Sequence, residues 1–389
     1  MGKSIDNKNL FILSDFNIRS NNRGTAALGY GAISFLLEKG YIDETDEIIN
    51  YKFYHNPFRK RPNHSDEELD INGKKWRRHT VYVWNIEKLL LKYKIHFINT
   101  KFKNTIKRLK LVAALNGGDG LTDIYGDKLL ESRLPEMNFA IDLNVPFIVM
   151  PQTIGPFIND INKTKVNNLL KKAKSVYVRD TNYVVELEKN NIEYEETNDL
   201  SYYMQPLSFS IDIQKPCVGI NISGLTFSNQ FGNLAGQFDA YPKLMKELVK
   251  RFQGKGCHVY IIPHSYNVNR PERNNDDMEA SKLFYDSLKN KTNVYFIDRD
   301  LISPQVKYLI SQMDFFIGTR MHANFAAIFT KTPVFGLAYS YKFKGAFENN
   351  GIFNRTCEIN NVTEKDIEKI VSLIIHAYNE DVTRKHNSI

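Results

Sequence analysis

Residues 314–327 read "DFFIGTRMHANFAA". The apolar run Phe315-Phe316-Ile317 stops at Gly318, and an Ala/Phe pattern at helical spacing begins within a few residues. A short unbroken apolar run followed by glycine and a helix reads as a strand buried on both faces that hands over to a helix. Arg320 and His322 stand at that handover. One is a fixed positive charge and the other a group that titrates near neutrality, placed where a helix start favours an anion.

Working outward, the same strand–loop–helix unit recurs. "NLFILSD" is a strand that leads through "NNRGTAALG" into a helix stopped at Gly40. "KLVAALNGGDGLTDIYG", "VPFIVMPQTIGPF" and "KSVYVRDTNYVVELEKN" repeat the pattern. A second series runs from "CVGINISGL" through "CHVYIIPHSYN", with Asp276 and Asp277 following, to "NVYFIDRD" and "TPVFGLAYSYKFKG". Ser303, just before Pro304, is a candidate N-cap, and Thr363 caps the last helix. Strands alternating with helices predict parallel sheets whose polar groups collect at the strands' carboxyl ends. The 389 residues divide into two α/β domains, 1–205 and 206–389. A charged insertion at 55–79, with prolines, Trp76 and the bases Arg59, Lys60, Arg61, Lys74, Lys75, Arg77 and Arg78, interrupts the first. Its composition reads as irregular chain, either a solvated surface or a contact for a lipid diphosphate or membrane surface.

Bulk composition narrows the partners. A formal net charge of +8 favours an acidic ligand or surface. The basic residues are dispersed and no nucleic-acid recognition motif stands in its expected context, which argues against nucleic acid. Three widely separated cysteines, Cys217, Cys257 and Cys357, make neither a disulfide framework nor a zinc motif. The N-terminus lacks the apolar core of a signal peptide, and no run is long enough to span a bilayer. The expected location is cytoplasmic, with peripheral contact at the inner face of the cytoplasmic membrane as a further option.

The candidate site residues all follow strands. Asn22 and Arg23 open a helix. Gly118 and Asp119 lie in "NGGDG", where glycine lets the backbone approach a ligand and the carboxylate is suited to orienting or deprotonating a sugar hydroxyl. Thr153 sits in the proline-bounded turn "MPQTIGPF". Arg179 ends a strand in "YVRD" with a planar fork suited to phosphate or carboxylate. His264 ends "IIPH" as a proton carrier. Thr319, Arg320, Met321 and His322, with Ser340 and Lys344 in the next strand–loop unit, form the densest group; Met321 is expected to turn its side chain into the packing. No metal-ligand set is evident.

In this order and spacing, "NGGDG", "PQTIGPF", "VRD", "IPHSY", "GTRMHANFAA" and "YSYKFKG" resemble the polysaccharide pyruvyl transferase family, from about Asn22 to about Gly351. The resemblance implies two Rossmann-like domains facing a cleft, a GT-B-like arrangement. It also implies transfer of pyruvate, as a ketal, from phosphoenolpyruvate (PEP) to two hydroxyls of one sugar, with PEP a co-substrate and no bound cofactor. The family's donor-binding Arg-x-His maps onto Arg320 and His322, and Arg179 stands as its second donor arginine. On this reading Thr319, Arg320, Met321, His322, Arg179, Ser340 and Lys344 bind PEP, and His322, His264 and Asp119 do the chemistry. Asn22, Arg23, Gly118, Asp119 and Thr153 face the acceptor, a bacterial surface-polysaccharide precursor such as an undecaprenyl-diphosphate-linked oligosaccharide. Two other readings keep the same fold: a nucleotide-sugar glycosyltransferase, and a non-catalytic glycan- or anion-binding protein.

Overall fold

A computed structural model describes residues 8–54, 62–92, 100–340 and 342–387. It divides into two compact units. The first comprises Met1–Asn17 and Leu28–Met204, the second Ile18–Ala27 and Gln205–Ile389. The chain passes to the second unit after Met204, and the segment Ile18–Ala27 also belongs with that unit.

The second unit carries a six-stranded sheet, and its strands complete a numbering that starts in the first. The first unit contributes β1 (Leu10–Leu13), β2 (Glu47–Tyr54), β3 (Ser65–Ile71), β4 (Lys74–Trp84), β5 (Leu109–Ala114), β6 (Phe147–Gln152), β7 (Ser175–Val178) and β8 (Glu195–Glu196). The second contributes β9 (Cys217–Ile220), β10 (His258–Ile261), β11 (Val294–Phe296), β12 (Phe315–Gly318), β13 (Val334–Ala338) and β14 (Thr356–Glu358). The second sheet is parallel throughout, in the order β11-β10-β9-β12-β13-β14. Renumbered from its own first strand this is 3-2-1-4-5-6, the Rossmann order, whose direction of winding reverses between β9 and β12.

Side-chain alternation explains the apolar runs. Phe315 and Ile317 of β12 join Val218 and Ile220 of β9 and Val259 and Ile261 of β10 in one core. Phe316, Cys217 and Tyr260 face the other way into a second core. The first core is closed by Leu244, Leu248 and Phe252 of the Tyr241–Gly254 helix and by Val371 and Ile374 of the Ile367–Asn387 helix. The second is closed by Val306 and Leu309 of the Ser303–Ser311 helix and Ala323 and Ala327 of the Met321–Phe329 helix. A strand covered on both faces needs apolar side chains in succession, which is what "FFI" supplies.

The first sheet has the order β3-β4-β2-β1-β5-β6-β7-β8. Its strands run parallel except β3, which is antiparallel to β4. Here the insertion departs from the irregular chain its composition suggests. Residues 65–84 form a hairpin whose turn is Asn72-Gly73, both at positive φ (54° and 75°), the conformation that two-residue hairpins require. Trp76 is buried against Phe11, edge to face at 6.3 Å, and anchors the hairpin to the sheet. The bases of β4 are neutralised locally. Arg78 pairs with Glu67, Lys75 with Glu68 and Asp70, Arg77 with Glu47, and Lys74 with Glu44. They face acids across the strands rather than forming an open basic patch. Arg59, Lys60 and Arg61 lie outside the described residues. Among the described residues no helix is long and apolar enough to cross a membrane.

Two capping expectations divide. Thr363 accepts the role, with Asp366 reaching back to its N–H at 3.0 Å. Ser303 does not. It is the first helical residue, and its hydroxyl is spent on the Arg23 carbonyl at 2.6 Å.

His79 of β4 bridges Glu47 of β2 (2.6 Å) and Asp66 of β3 (2.8 Å), tying three strands together. Burial pushes the Glu47 carboxyl up, but hydrogen bonds from His79 and Lys8 outweigh it and hold it below its ordinary 4.5. A depressed carboxylate contributes stability that is present above the unfolded value and lost as pH falls through the folded one. Glu47→Gln should therefore destabilise the protein most above pH 4.5, with the gap to the parent closing on further acidification in urea denaturation series. A gap that stays constant with pH would exclude this role for Glu47.

Candidate functional site

In open α/β sheets ligands bind at the carboxyl ends of the strands where the winding reverses. In the second unit that point lies between Asn221, just after β9, and Thr319-Arg320, just after β12. The Arg320 N–H donates to the Asn221 side-chain oxygen at 2.9 Å, so the two strand ends are joined there directly.

Asp277, fully buried at the start of the Asp277–Asp286 helix, organises the surrounding loops. Its carboxylate accepts from the backbone N–H groups of Gly224 (2.8 Å), His264 (3.2 Å) and Ser265 (3.0 Å), and from the Asn221 amide (3.3 Å). Arg320 adds Nε at 3.0 Å and Nη2 at 2.7 Å. On its other side Nη2 donates to the carbonyl and side-chain oxygens of Asn275, at 2.8 and 2.7 Å. Burial opposes the Arg320 charge, but the Asp277 carboxylate, with Tyr339 assisting, more than restores it and raises its pKa. Arg320 is thus a permanent cation, held by a carboxylate as the sequence pattern alone did not reveal.

The two predicted histidines sit near this pair. His264 is 4% exposed. Burial, reinforced by the charges of His322, Arg320 and Arg23, drives its pKa well below the ordinary 6.5. It is therefore neutral at physiological pH. His322 lies in the first turn of the Met321–Phe329 helix, half-buried, with its ring edge-on to Phe325. Met321 beside it packs into the second core, as expected.

Residues 20–24 complete the wall. Asn22 forms an antiparallel bridge with Ser265, and its side chain caps the following helix through the Gly24 N–H at 2.9 Å. Arg23 N–H donates to the His264 carbonyl at 3.2 Å. The Arg23 guanidinium is committed to the fold. Nε donates to Leu301 O (2.7 Å), Nη1 to Ser20 O, Asn21 O and Tyr266 O, and Nη2 to Asp300 (2.7 Å), with the Tyr266 ring 4.1 Å beneath. The expectation that Asn22 and Arg23 stand in the first domain is thus corrected. Both belong to the second unit, and Arg23 clasps that segment to the strand-end loops. Thr319 is likewise internal, fully buried with its hydroxyl 2.8 Å from Tyr241 Oη. Ser340 lies half-buried just after β13. The Lys344 side chain lies outside the described residues.

The first unit gathers the remaining candidates after β5, β6 and β7, at the carboxyl ends of neighbouring strands. Gly118 sits at φ 86° with its carbonyl accepting the Thr153 N–H at 2.9 Å; a Cβ there would meet Leu28 at 2.9 Å and Arg179 at 3.3 Å. Thr153 Oγ1 accepts from Arg179 Nε at 3.0 Å and donates to Asp180. Arg179 also pairs with Asp199 at 2.5 Å. Burial opposes its charge, but Asp199, Asp119 and Asp180 together raise its pKa. Asp119 is half-buried and accepts the Tyr125 hydroxyl at 3.0 Å. So the structure brings Gly118, Asp119, Thr153 and Arg179 together, and separately His264, Arg320 and His322. Arg179 falls in the first unit, among carboxylates.

Sequence reasoning missed Asp277, Asn275, Asn221 and Asp199. "NNDDMEAS" advertises a helix cap, and Asp276 fills that role with Met278 and Glu279 (2.9 and 3.1 Å). The carboxylate that matters to the site is the next one. It also missed Arg133, which pairs with Asp15 along the "NGGDG" loop. Among the described residues no group of three His, Cys, Asp or Glu side chains is placed to hold a metal ion.

Two predictions follow from this geometry. A Cβ on Gly24 would lie 2.5 Å from His322 Nδ1, closer than any tolerated contact. Gly24→Ala should force the imidazole out of place, visible as a shifted His322 side-chain resonance in an otherwise folded protein; an unmoved resonance would refute the contact. The depressed His264 pKa contributes stability that is present above 6.5 and lost as pH falls through the folded value. His264→Asn should lose less melting temperature than the parent between about pH 7.5 and about pH 5.5, and equal losses would overturn that.

Comparison with known proteins bears on this chain as follows. The sequence model of the polysaccharide pyruvyl transferase family matches residues 22–341. Comparison with curated protein sequences gives no match. Among solved structures, UDP-GlcNAc 2-epimerase from Methanocaldococcus jannaschii is similar over 94% of this chain and 92% of that one, at 10% identity and a TM-score of 0.49. UDP-GlcNAc 2-epimerase from Neisseria meningitidis, bound to UDP-GlcNAc, is similar over 96% and 93%, at 12% identity and 0.48. An α,α-trehalose 6-phosphate synthase from Burkholderia multivorans is similar over 97% and 94%, at 9% identity and 0.44.

Proposed function

Since the chain belongs to the polysaccharide pyruvyl transferase family, we propose that its donor is PEP, whose pyruvate it transfers as a ketal onto two hydroxyls of one sugar with release of phosphate. The acceptor in this reading is a bacterial surface-polysaccharide precursor, a lipid-diphosphate-linked oligosaccharide among them. The observation that carries the proposal is the grouping of Arg320, His264 and His322 at the reversal point of the second sheet, inside the stretch that the family matches.

The chemistry sets the demands. A proton added to the PEP methylene makes a methyl group and leaves C2 electrophilic. One sugar hydroxyl attacks C2, the C2–O bond to phosphate breaks, and a second hydroxyl of the same sugar closes the ring. Two hydroxyl protons are lost; one balances the methyl group and the other leaves with the phosphate. The site must therefore hold an anion, give a proton to carbon and take protons from oxygen.

The residues divide along these lines. Arg320 stays charged at any working pH and anchors the anion. His264, neutral because it is buried beside other cations, takes a hydroxyl proton. His322, at a helix start, is assigned to the methylene. Asp119 in the first unit is the acceptor-side candidate: a half-exposed carboxylate beside a glycine turn, in a carboxylate-rich group suited to neutral hydroxyls rather than to a phosphate.

The test is direct. Incubation with PEP and a panel of acceptors bearing 4,6- and 3,4-diols should release phosphate and add the mass of one pyruvate ketal to a sugar. Arg320→Ala and His322→Ala should each lower turnover by about 100-fold or more. No product across the panel, with no thermal shift from PEP alone, would sink the reading.

A further inference from the structure

We propose that Asp277 is the positioning residue of the donor site: it fixes the direction in which Arg320 presents its charge and sets the His264 loop against it. The inference rests on the reading of the second unit as the PEP side and names a residue that reading does not contain.

Geometry carries it. A guanidinium has three nitrogens, and a flexible arginine would offer any of them to a ligand. Here Asp277 takes Nε (3.0 Å) and Nη2 (2.7 Å) side by side, the two-point grip that fixes the plane of the fork as well as its place. Asn275 closes on Nη2 from the other side with two oxygens, at 2.7 and 2.8 Å. Asp277 and Asn275 thus hold Nε and Nη2, and neither of them takes Nη1, the nitrogen we assign to the anion.

The same carboxylate also accepts the N–H groups of His264 and Ser265, and the Asp277 N–H donates back to the Ser265 carbonyl at 2.7 Å. The loop bearing His264 and the side chain of Arg320 are therefore registered on one group. Through Gly224 and Asn221 the end of β9 is registered on it as well.

Burial supports a positioning role over a purely stabilising one. Taking an aspartate and an arginine out of water is expensive, and well-packed apolar side chains often serve a core as well or better. A carboxylate with no exposed surface and donors from three separate segments specifies one arrangement of those segments. The charge of Asp277 also offsets that of Arg320. Anion recognition then depends on where Nη1 points more than on net positive charge, which makes the donor site sensitive to the loss of alignment.

Calorimetric titration of the intact chain with PEP tests this without an acceptor. Asn275→Ala removes one of the charge-assisted bonds at a half-exposed residue and should weaken PEP binding about tenfold, and Asp277→Asn by more, about 100-fold. A role confined to stability would lower the melting temperature and the fraction of binding-competent chain while leaving the Kd of that fraction unchanged. The two outcomes separate in one titration, as affinity against stoichiometry. If Asp277→Asn does not fold, Asn275→Ala decides alone. A parent that binds PEP, with variants binding within about twofold of it, overturns the role of Asp277. A parent that fails to bind PEP overturns the donor reading itself.

Discussion

The buried pair between Asp277 and Arg320 is the constraint on which the rest of the second unit's site depends. It sits where the sheet reverses its winding, so the loops after β9, β10 and β12 all end within reach of it. A lone buried arginine would carry an unpaid desolvation cost, and a lone buried aspartate would take up a proton instead. Together, and with the backbone donors around them, each meets its partner, and Arg320 keeps its charge. Arg23 repeats the logic nearby: its charge meets Asp300 and its donors meet carbonyls. The site therefore contains two arginines yet little uncompensated positive charge. Its electrostatic character comes from direction, through a fixed guanidinium edge and a helix start, rather than from excess.

That arrangement explains why His264 is neutral. It lies deep among groups that are cationic or become so, and a second positive charge there would have neither water nor a carboxylate of its own. The Asp277 carboxylate accepts only from the backbone N–H of His264, while its side-chain partner is Arg320. One acid thus holds the histidine's loop in place without stabilising a protonated ring.

Sequence made some of this legible and not the rest, for physical reasons. Phe315-Phe316-Ile317 declared a doubly covered strand because alternation across a sheet demands apolar residues on both faces. Arg320 and His322 were legible because a strand, a glycine and a helix start put them at a known kind of place. Asp277 was not, because its partner is 43 residues away and its local signature is that of a helix cap. Arg23 misled in the opposite sense: proximity in sequence put it with the first domain, whereas its contacts tie residues 18–27 to the second. The hairpin at 65–84 had a clear signal in Asn72-Gly73, but its charge blocks obscured the strands. Those charges become intelligible only once Glu67 and Arg78, or Asp66 and His79, are seen opposite one another. They leave a charged outer strand, which discourages edge-to-edge association.

The two units differ in how they use an arginine. Arg179 is surrounded by Asp199, Asp180 and Asp119, so carboxylates outnumber the cation and the group carries negative charge. In the second unit the balance is reversed, with each arginine matched by one acid and two histidines beside them. The sequence treated Arg179 and Arg320 as equivalent because each ends a strand in an α/β unit. Their surroundings make them opposites: one arginine holds together a carboxylate cluster, and the other is held in place by a carboxylate.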